Sequence, residues 1–156
     1  LTRPSELRLA PVVVADLVQH ALKLVEGDCR SRGIAVQARL AELTAPLDAD
    51  RMLQALLNLL LNAIQAMPKG GTLTVSAQRV KDRLELRVAD TGGGIPAQDL
   101  DRIFDPYFTT KNQGTGLGLA TVRTLVEAHG GQVRVVSEQG QGTQVGLDLP
   151  LKGEGR

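Results

Sequence analysis

Leu73-Thr74-Val75-Ser76-Ala77-Gln78-Arg79-Val80-Lys81-Asp82-Arg83-Leu84-Glu85-Leu86-Arg87-Val88 is the stretch that decides the fold. Leu73, Val75 and Ala77 alternate with polar neighbours, and so do Leu84, Leu86 and Val88. Lys81-Asp82-Arg83 between the two runs predicts a hairpin turn. Strict alternation means that one sheet face is covered and the other is wet. Three further segments follow the same period: Ile34, Val36, Ala38 and Leu40 upstream, then Val133 and Val135, then Val145, Leu147 and Leu149. A doubly wound sheet, covered on both faces, would instead carry continuous apolar runs, and none is present.

The segments between these strands read as helices. Val14, Leu17, Val18, Ala21, Leu24 and Val25 recur at helical spacing and Gly27 follows as a stop signal. A long helix is expected from about Asp50 to Met67, ending before Pro68 and Gly70-Gly71. Another runs from about Leu117 to His129 and stops at Gly130-Gly131, and residues 97–103 form a short one. Three substantial helices on one face of a mixed, mostly antiparallel five-stranded sheet give an α+β fold, a two-layer α/β sandwich. Residues 1–10, with Pro4 and Pro11 discouraging a through-running helix, read as a connector, residues 11–151 as the domain, and 152–156 as a polar tail.

Composition removes several function classes. At 156 residues, with 42% apolar residues, the chain suits one domain burying about 68–70% of its unfolded surface. The single cysteine, Cys29, excludes an internal disulfide framework and a multi-cysteine zinc site. A net charge of +1, with both signs interspersed, leaves no electrostatic footprint for nucleic acid. No apolar run reaches the ~18 residues of a membrane span, and the amino end lacks a secretory pattern. Because residue 1 is Leu, the chain is read as a fragment of a longer protein.

Four segments carry candidate chemistry. On the long helix, Arg51, Gln54, Asn58, Asn62 and Gln65 fall within a stripe of about 80°. Leu59 and Leu61 flank it. Asn disfavours helix interiors, yet Asn58 and Asn62 stand one turn apart, where two carboxamide oxygens suit a hard cation or its waters; an exposed stripe on a packed helix accounts for them equally well. Asp90-Thr91-Gly92-Gly93-Gly94-Ile95-Pro96 leaves a strand end, so a backbone stripped of side chains can approach a ligand while the carboxylate accepts its donor edge. A plain glycine turn capped by Asp90 is the alternative. Gly114-Thr115-Gly116-Leu117-Gly118-Leu119 opens the last long helix, either as an anion-binding N-terminus or as a hinge. Between them all three aromatics of the chain, Phe104, Tyr107 and Phe108, crowd into five residues before Thr110 and Lys111, as a docking lid or as a plug that holds the loop down.

In this order the four segments resemble the boxes of the GHKL ATPase superfamily, in its sensor histidine kinase branch. Asn58-Leu-Leu-Leu-Asn62-Ala63 is similar to the N box and Asp90-Thr-Gly92-Gly93-Gly94 to the first glycine box. Phe104-Asp-Pro-Tyr-Phe-Thr-Thr-Lys111 is similar to the F box and Gly114-Thr-Gly116-Leu-Gly118 to the second glycine box. The wording NAIQAM, DTGGGIP, FDPYFTTK and GTGLGLA resembles the nitrogen-regulation-like kinases most. The match spans roughly residues 8–150.

The resemblance implies a Bergerat-type sandwich with a mobile lid that binds ATP and Mg²⁺. It further implies that Asn62 coordinates the metal, with Asn58 in support, and that Asp90 accepts the adenine amino group over Gly92 and Gly94, with Ile95 beside them. Gly114, Gly116 and Gly118 would wrap the triphosphate with Thr110, Lys111, Thr115, Leu117 and Leu119, Lys111 joining the asparagines in catalysis. Thr143, in Gly140-Gln-Gly142-Thr143, would assist Asp90. Gln65 stands where some kinases place a basic phosphate ligand.

An amide at Asn58, where gyrase and chaperone relatives carry glutamate, cannot act as a base, so vigorous hydrolysis is not expected. Neither His20 nor His129 sits in a phosphoacceptor pattern. They read as a surface histidine and a helix C-terminal residue. The implied function is a kinase domain that phosphorylates a histidine on its parent's dimerisation domain for relay to a response regulator. It is read as cytoplasmic, without nucleic-acid or membrane contact, monomeric alone and homodimeric within its parent. An anti-sigma-type serine kinase and a binding-only module are the competing readings.

Overall fold

The computed structural model describes residues 6–105 and 118–152. Its secondary structure runs β1 (Ala10–Val13), α1 (Val14–Leu24), α2 (Glu26–Ser31), β2 (Ile34–Leu40), β3 (Thr44–Leu47), α3 (Ala49–Gln65), β4 (Gly71–Val80) and β5 (Arg83–Asp90). A 3-10 helix, Ala97–Arg102, precedes α4 (Gly118–Ala128), β6 (Gln132–Glu138) and β7 (Gly142–Pro150).

Alternation dictates the sheet. Leu73, Val75 and Ala77 of β4, Leu84, Leu86 and Val88 of β5, and Val145, Leu147 and Leu149 of β7 are all buried. Their intervening neighbours, Ser76, Arg87 and Gly146 among them, lie on the opposite face in one cross-strand row. The order is β2-β4-β5-β7-β6, with β2 parallel to β4 and every other pair antiparallel. The β4–β5 turn falls where expected, with Lys81 in the left-handed region at φ 59°. Helices α1, α3 and α4 pack side by side on the apolar face, α3 in the centre. A second, two-stranded sheet pairs β1 with β3 antiparallel.

Three details differ from the sequence reading. The chain does not leave its first helix at Gly27; it breaks at Val25, and Gly27 lies inside α2. The β1–β3 pair was not foreseen, and Ala10, within the stretch read as connector, is already paired with Leu47. The short helix after the glycines is a 3-10 helix and ends at Arg102.

Candidate functional site

Helix α3 begins at a capping aspartate. The Asp48 carboxylate accepts the Arg51 amide at 3.2 Å, satisfying one of the orphan donors of the first turn. From there Met52, Ala55, Leu56, Leu59, Leu60, Ala63 and Ile64 are buried. Asn58, Asn62 and Gln65 are only partly buried and Gln54 is exposed, so the amide stripe follows the accessible side of the helix.

The hairpin path brings the first glycine segment to the far end of that helix. α3 ends at Gln65 and β4 starts at Gly71; β5 then returns antiparallel, so that Asp90 stands opposite Leu73. Thr91 fastens the crossing: its Oγ1 accepts the Thr72 amide at 3.0 Å and donates to the Met67 sulfur. A Cβ on Gly92 would overlap the Ala66 carbonyl, one turn beyond Asn62. Gly94, at φ +75°, would drive a Cβ into the Glu138 carbonyl. Gly93 meets nothing within 4 Å. Two of the three glycines are thus demanded by close approach of the chain to itself, between the end of α3 and the β6–β7 hairpin.

Asp90 is half-buried, and its Oδ1 accepts the Gly92 amide at 2.8 Å. Across the strand pair it stands opposite Thr143. Thr143 Oγ1 lies 2.8 Å from Ser137 Oγ, and Ser137 Oγ in turn accepts the Ile95 amide at 2.8 Å. Ser137 therefore ties the loop carrying Ile95 to the strand carrying Thr143. Sequence reasoning missed it, because a lone serine in a strand carries no pattern.

The fourth segment reaches the same place through α4. A Cβ on Gly118 would stand 3.0 Å from Asn62 Nδ2, so absence of a side chain lets the start of α4 approach the asparagine. Leu119 follows, packed against the core. Ile103 is buried, and the half-buried Phe104 ring lies 5.3 Å beneath the Arg123 guanidinium of α4, a cation–π contact. Asn58, Asn62, Asp90, Gly92, Gly94, Ile95, Gly118, Leu119 and Thr143 are all placed around the C-terminal half of α3 and the adjoining strand ends. The expected roles of Thr110, Lys111, Gly114, Thr115, Gly116 and Leu117, with Tyr107, Phe108 and the lid itself, fall on residues outside those described.

Among the described residues no group of three His, Cys, Asp or Glu side chains could hold a metal. His20 is exposed, whereas His129 is buried at the capping residue of α3. Its Nε2 accepts the Asp48 amide at 3.0 Å and its Nδ1 lies 2.8 Å from the Leu125 carbonyl. Burial pushes the Asp48 carboxyl upward, but hydrogen bonds from the Arg8 and Arg51 amides, with the charge of Arg51, outweigh it and hold the carboxyl below its ordinary value. Among the described residues no helix is long and apolar enough to cross a membrane.

Comparison with known proteins agrees with this geometry. Residues 47–153 match the family described as histidine kinase-, DNA gyrase B-, and HSP90-like ATPase. The chain is 45% identical over 155 residues to the sensor histidine kinase ZraS of Escherichia coli K12, covering 97% of this chain and 33% of ZraS. It is 37% identical over 153 residues to the histidine protein kinase DivJ of Caulobacter vibrioides, covering 94% of this chain and 26% of DivJ. The chain thus spans about a quarter to a third of the length of these curated relatives.

Among solved structures, the nucleotide-free catalytic domain of histidine kinase ThkA superposes with a TM-score of 0.86 at 28% identity, over 93% of this chain and 97% of that one. Full-length ShkA in complex with AMPPNP gives a TM-score of 0.86 at 32% identity, over 97% of this chain and 33% of ShkA. With residues 47–153 matching its model, this chain belongs to the histidine kinase-, DNA gyrase B-, and HSP90-like ATPases, and its two-layer sandwich is that of the catalytic domains of sensor histidine kinases.

Proposed function

We propose that residues 11–151 bind Mg-ATP at the C-terminal end of α3 and transfer its γ-phosphoryl group to a histidine on a dimerisation domain of the parent protein, for relay to a response regulator. The stretch before Ala10 acts as the connector to that domain and 152–156 as a tail. The observation that carries the reading is the convergence on one helix end of Asn62 with Gly118 and of Ala66 with Gly92. Its relative ShkA binds AMPPNP, a triphosphate analogue.

In this reading Asp90 accepts the exocyclic amino group of adenine, with Thr143 behind it, while Ile95 bounds the base. Asn58 and Asn62 present carboxamide oxygens to the metal–triphosphate, and Gly118 leaves room for the phosphates at the start of α4. One amide oxygen from Asn62 fits Mg²⁺, which keeps several waters and takes most of its other oxygens from phosphate rather than from a protein cage. Bound there, the ion would neutralise charge on the transferring group. Thr110, Lys111, Gly114, Thr115, Gly116 and Leu117 complete the phosphate side.

Asn58 cannot deprotonate water, so the site favours transfer over hydrolysis. Transfer itself runs on positioning and charge stabilisation, with the proton left to the acceptor's surroundings. The domain acts on the cytoplasmic side, is monomeric alone, and dimerises through its parent.

Titration calorimetry with Mg-ATP tests binding, and labelling of a supplied histidine-bearing dimerisation domain tests transfer. Saturable heat with a labelled acceptor supports the reading. Binding with a competent acceptor left unlabelled would reduce the protein to a nucleotide-binding module. Asn62→Ala should weaken Mg-ATP more than metal-free ATP; equal losses in both arms remove the metal role.

A further inference from the structure

Helices α3 and α4 lie antiparallel, and they are fastened at both ends. At one end Gly118, the first residue of α4, meets Asn62. At the other, His129, the residue after α4, is 8% exposed and meets Asp48, the cap of α3. A backbone amide only donates, so His129 Nε2 must accept, and Nδ1 carries the proton it gives to Leu125 O. The imidazole is therefore neutral in this arrangement, with a fixed tautomer.

Asp48 is fully engaged around it. Its carbonyl accepts the Met52 amide at 2.9 Å, Oδ1 accepts from Arg51, and Oδ2 accepts from the Arg8 amide at 3.0 Å. The turn that caps α3 is thus rigid independently of α4. Beyond His129, the chain abuts β7, where a Cβ on Gly131 would overlap the Asp148 carbonyl. The two fastenings stand about 16–21 Å apart at 1.5 Å rise per residue.

We propose that His129 is a positioning residue for the nucleotide site. By clamping the C-terminal end of α4 to the capping turn of α3, it sets the register at which Gly118 lies against Asn62. α4 is amphipathic, with Val122, Leu125 and Val126 buried and Arg123, Thr124 and Glu127 exposed. A one-sided apolar contact is non-directional and resists sliding weakly. The directed hydrogen bonds of His129 fix the remaining freedom. The proposal rests on the ATP reading above, since the register matters only if Asn62 and Gly118 share a ligand.

The test uses the whole chain and compares His129→Leu with His129→Gln, whose side-chain oxygen reaches about where Nε2 stands. Leu84→Ala, on buried β5 at the end away from Asp90, serves as a destabilised control. Affinity for a fluorescent Mg-ATP analogue is measured on the folded fraction, with the urea midpoint and amide exchange across α4 recorded without nucleotide.

His129→Leu should bind about three- to tenfold more weakly, the span of the one neutral hydrogen bond lost to Asp48, and its α4 amides should exchange faster. His129→Gln should recover most of both, and Leu84→Ala should lower the urea midpoint while keeping wild-type affinity. Wild-type affinity and wild-type α4 exchange in His129→Leu overturn the clamp and leave the ATP reading standing. Equal weakening in His129→Gln or in Leu84→Ala overturns it too, because the role is then packing alone. A wild-type chain that binds no nucleotide defeats the ATP reading itself, whatever α4 exchange reports.

Discussion

At the residue scale two aspartates do opposite work with the same chemistry. Asp90 ends β5 and turns Oδ1 back onto the Gly92 amide, which orients the carboxylate at the strand end. Asp90→Asn replaces an acceptor-only group by one with two donors. Losing a charge-assisted hydrogen bond of about 1.5–3 kcal/mol should weaken ATP analogues by about ten- to a hundredfold, read by fluorescence titration; unchanged binding would remove the adenine role. Asp48 instead spends its oxygens on Arg8 and Arg51, and its pKa is held down. The unfolded state then binds more protons than the native one, so this contribution rises with pH. It is complete above the unfolded value near 3.9 and fades as pH falls through the lower folded value. Asp48→Ala should cost about 0.5–2 kcal/mol at neutral pH. In urea titrations that gap from wild type should narrow below about pH 4; a gap that widens in acid contradicts the assignment.

At the element scale the glycine loop invites a paired substitution. Gly94→Ala meets both a left-handed φ of +75° and the Glu138 carbonyl, whereas Gly93 faces open space. The first should cost about 1–3 kcal/mol and release the Ile95–Ser137 contact; the second should stay within about 0.5 kcal/mol. Thermal unfolding distinguishes them, and equal effects would refute the loop geometry. Nothing in Gly-Gly-Gly tells the three apart, because the difference comes from a hairpin some 45 residues downstream. The elements themselves were legible wherever a period ran for five or more residues: α3, and β4 with β5, lie within a few residues of their expected positions. β1 and β3 were not, since four-residue strands with Pro11 opposite Pro46 display no alternation. Val25 ends α1 with a φ of −106° and no breaker residue, so Gly27 attracted the stop that it does not make. The amides and acid of the proposed site stand out by residue type, being costly in a helix interior or placed at a strand end. Ser137, and the reach of His129 to Asp48 across 81 residues, exist only in three dimensions.

At the scale of the whole molecule, one helix both anchors the core and carries the proposed site, so stability and the proposed function share α3 but occupy opposite sides of it. The core is built from Leu, Val, Ile, Ala and Met, with Cys29 the exception, and contains no aromatic among the described residues; Phe104 lies outside it, under Arg123. Leu60 and Leu61 are adjacent, yet Leu60 is 1% exposed and Leu61 39% exposed. Leu60→Ala should therefore open a cavity and cost about 2–5 kcal/mol. At about 2–4 °C per kcal/mol for a chain of this length, its melting temperature should drop by roughly 4–20 °C. Leu61→Ala removes the same atoms from a wetter position and should stay within about 0.5 kcal/mol. Neither supplies a polar group of the amide stripe, so the folded fraction of each should retain wild-type affinity for Mg-ATP. Scanning calorimetry followed by nucleotide titration checks both statements. If Leu61→Ala proved as costly as Leu60→Ala, α3 would be rotated about its axis from the orientation described, and Asn58 and Asn62 would no longer face the approach of α4.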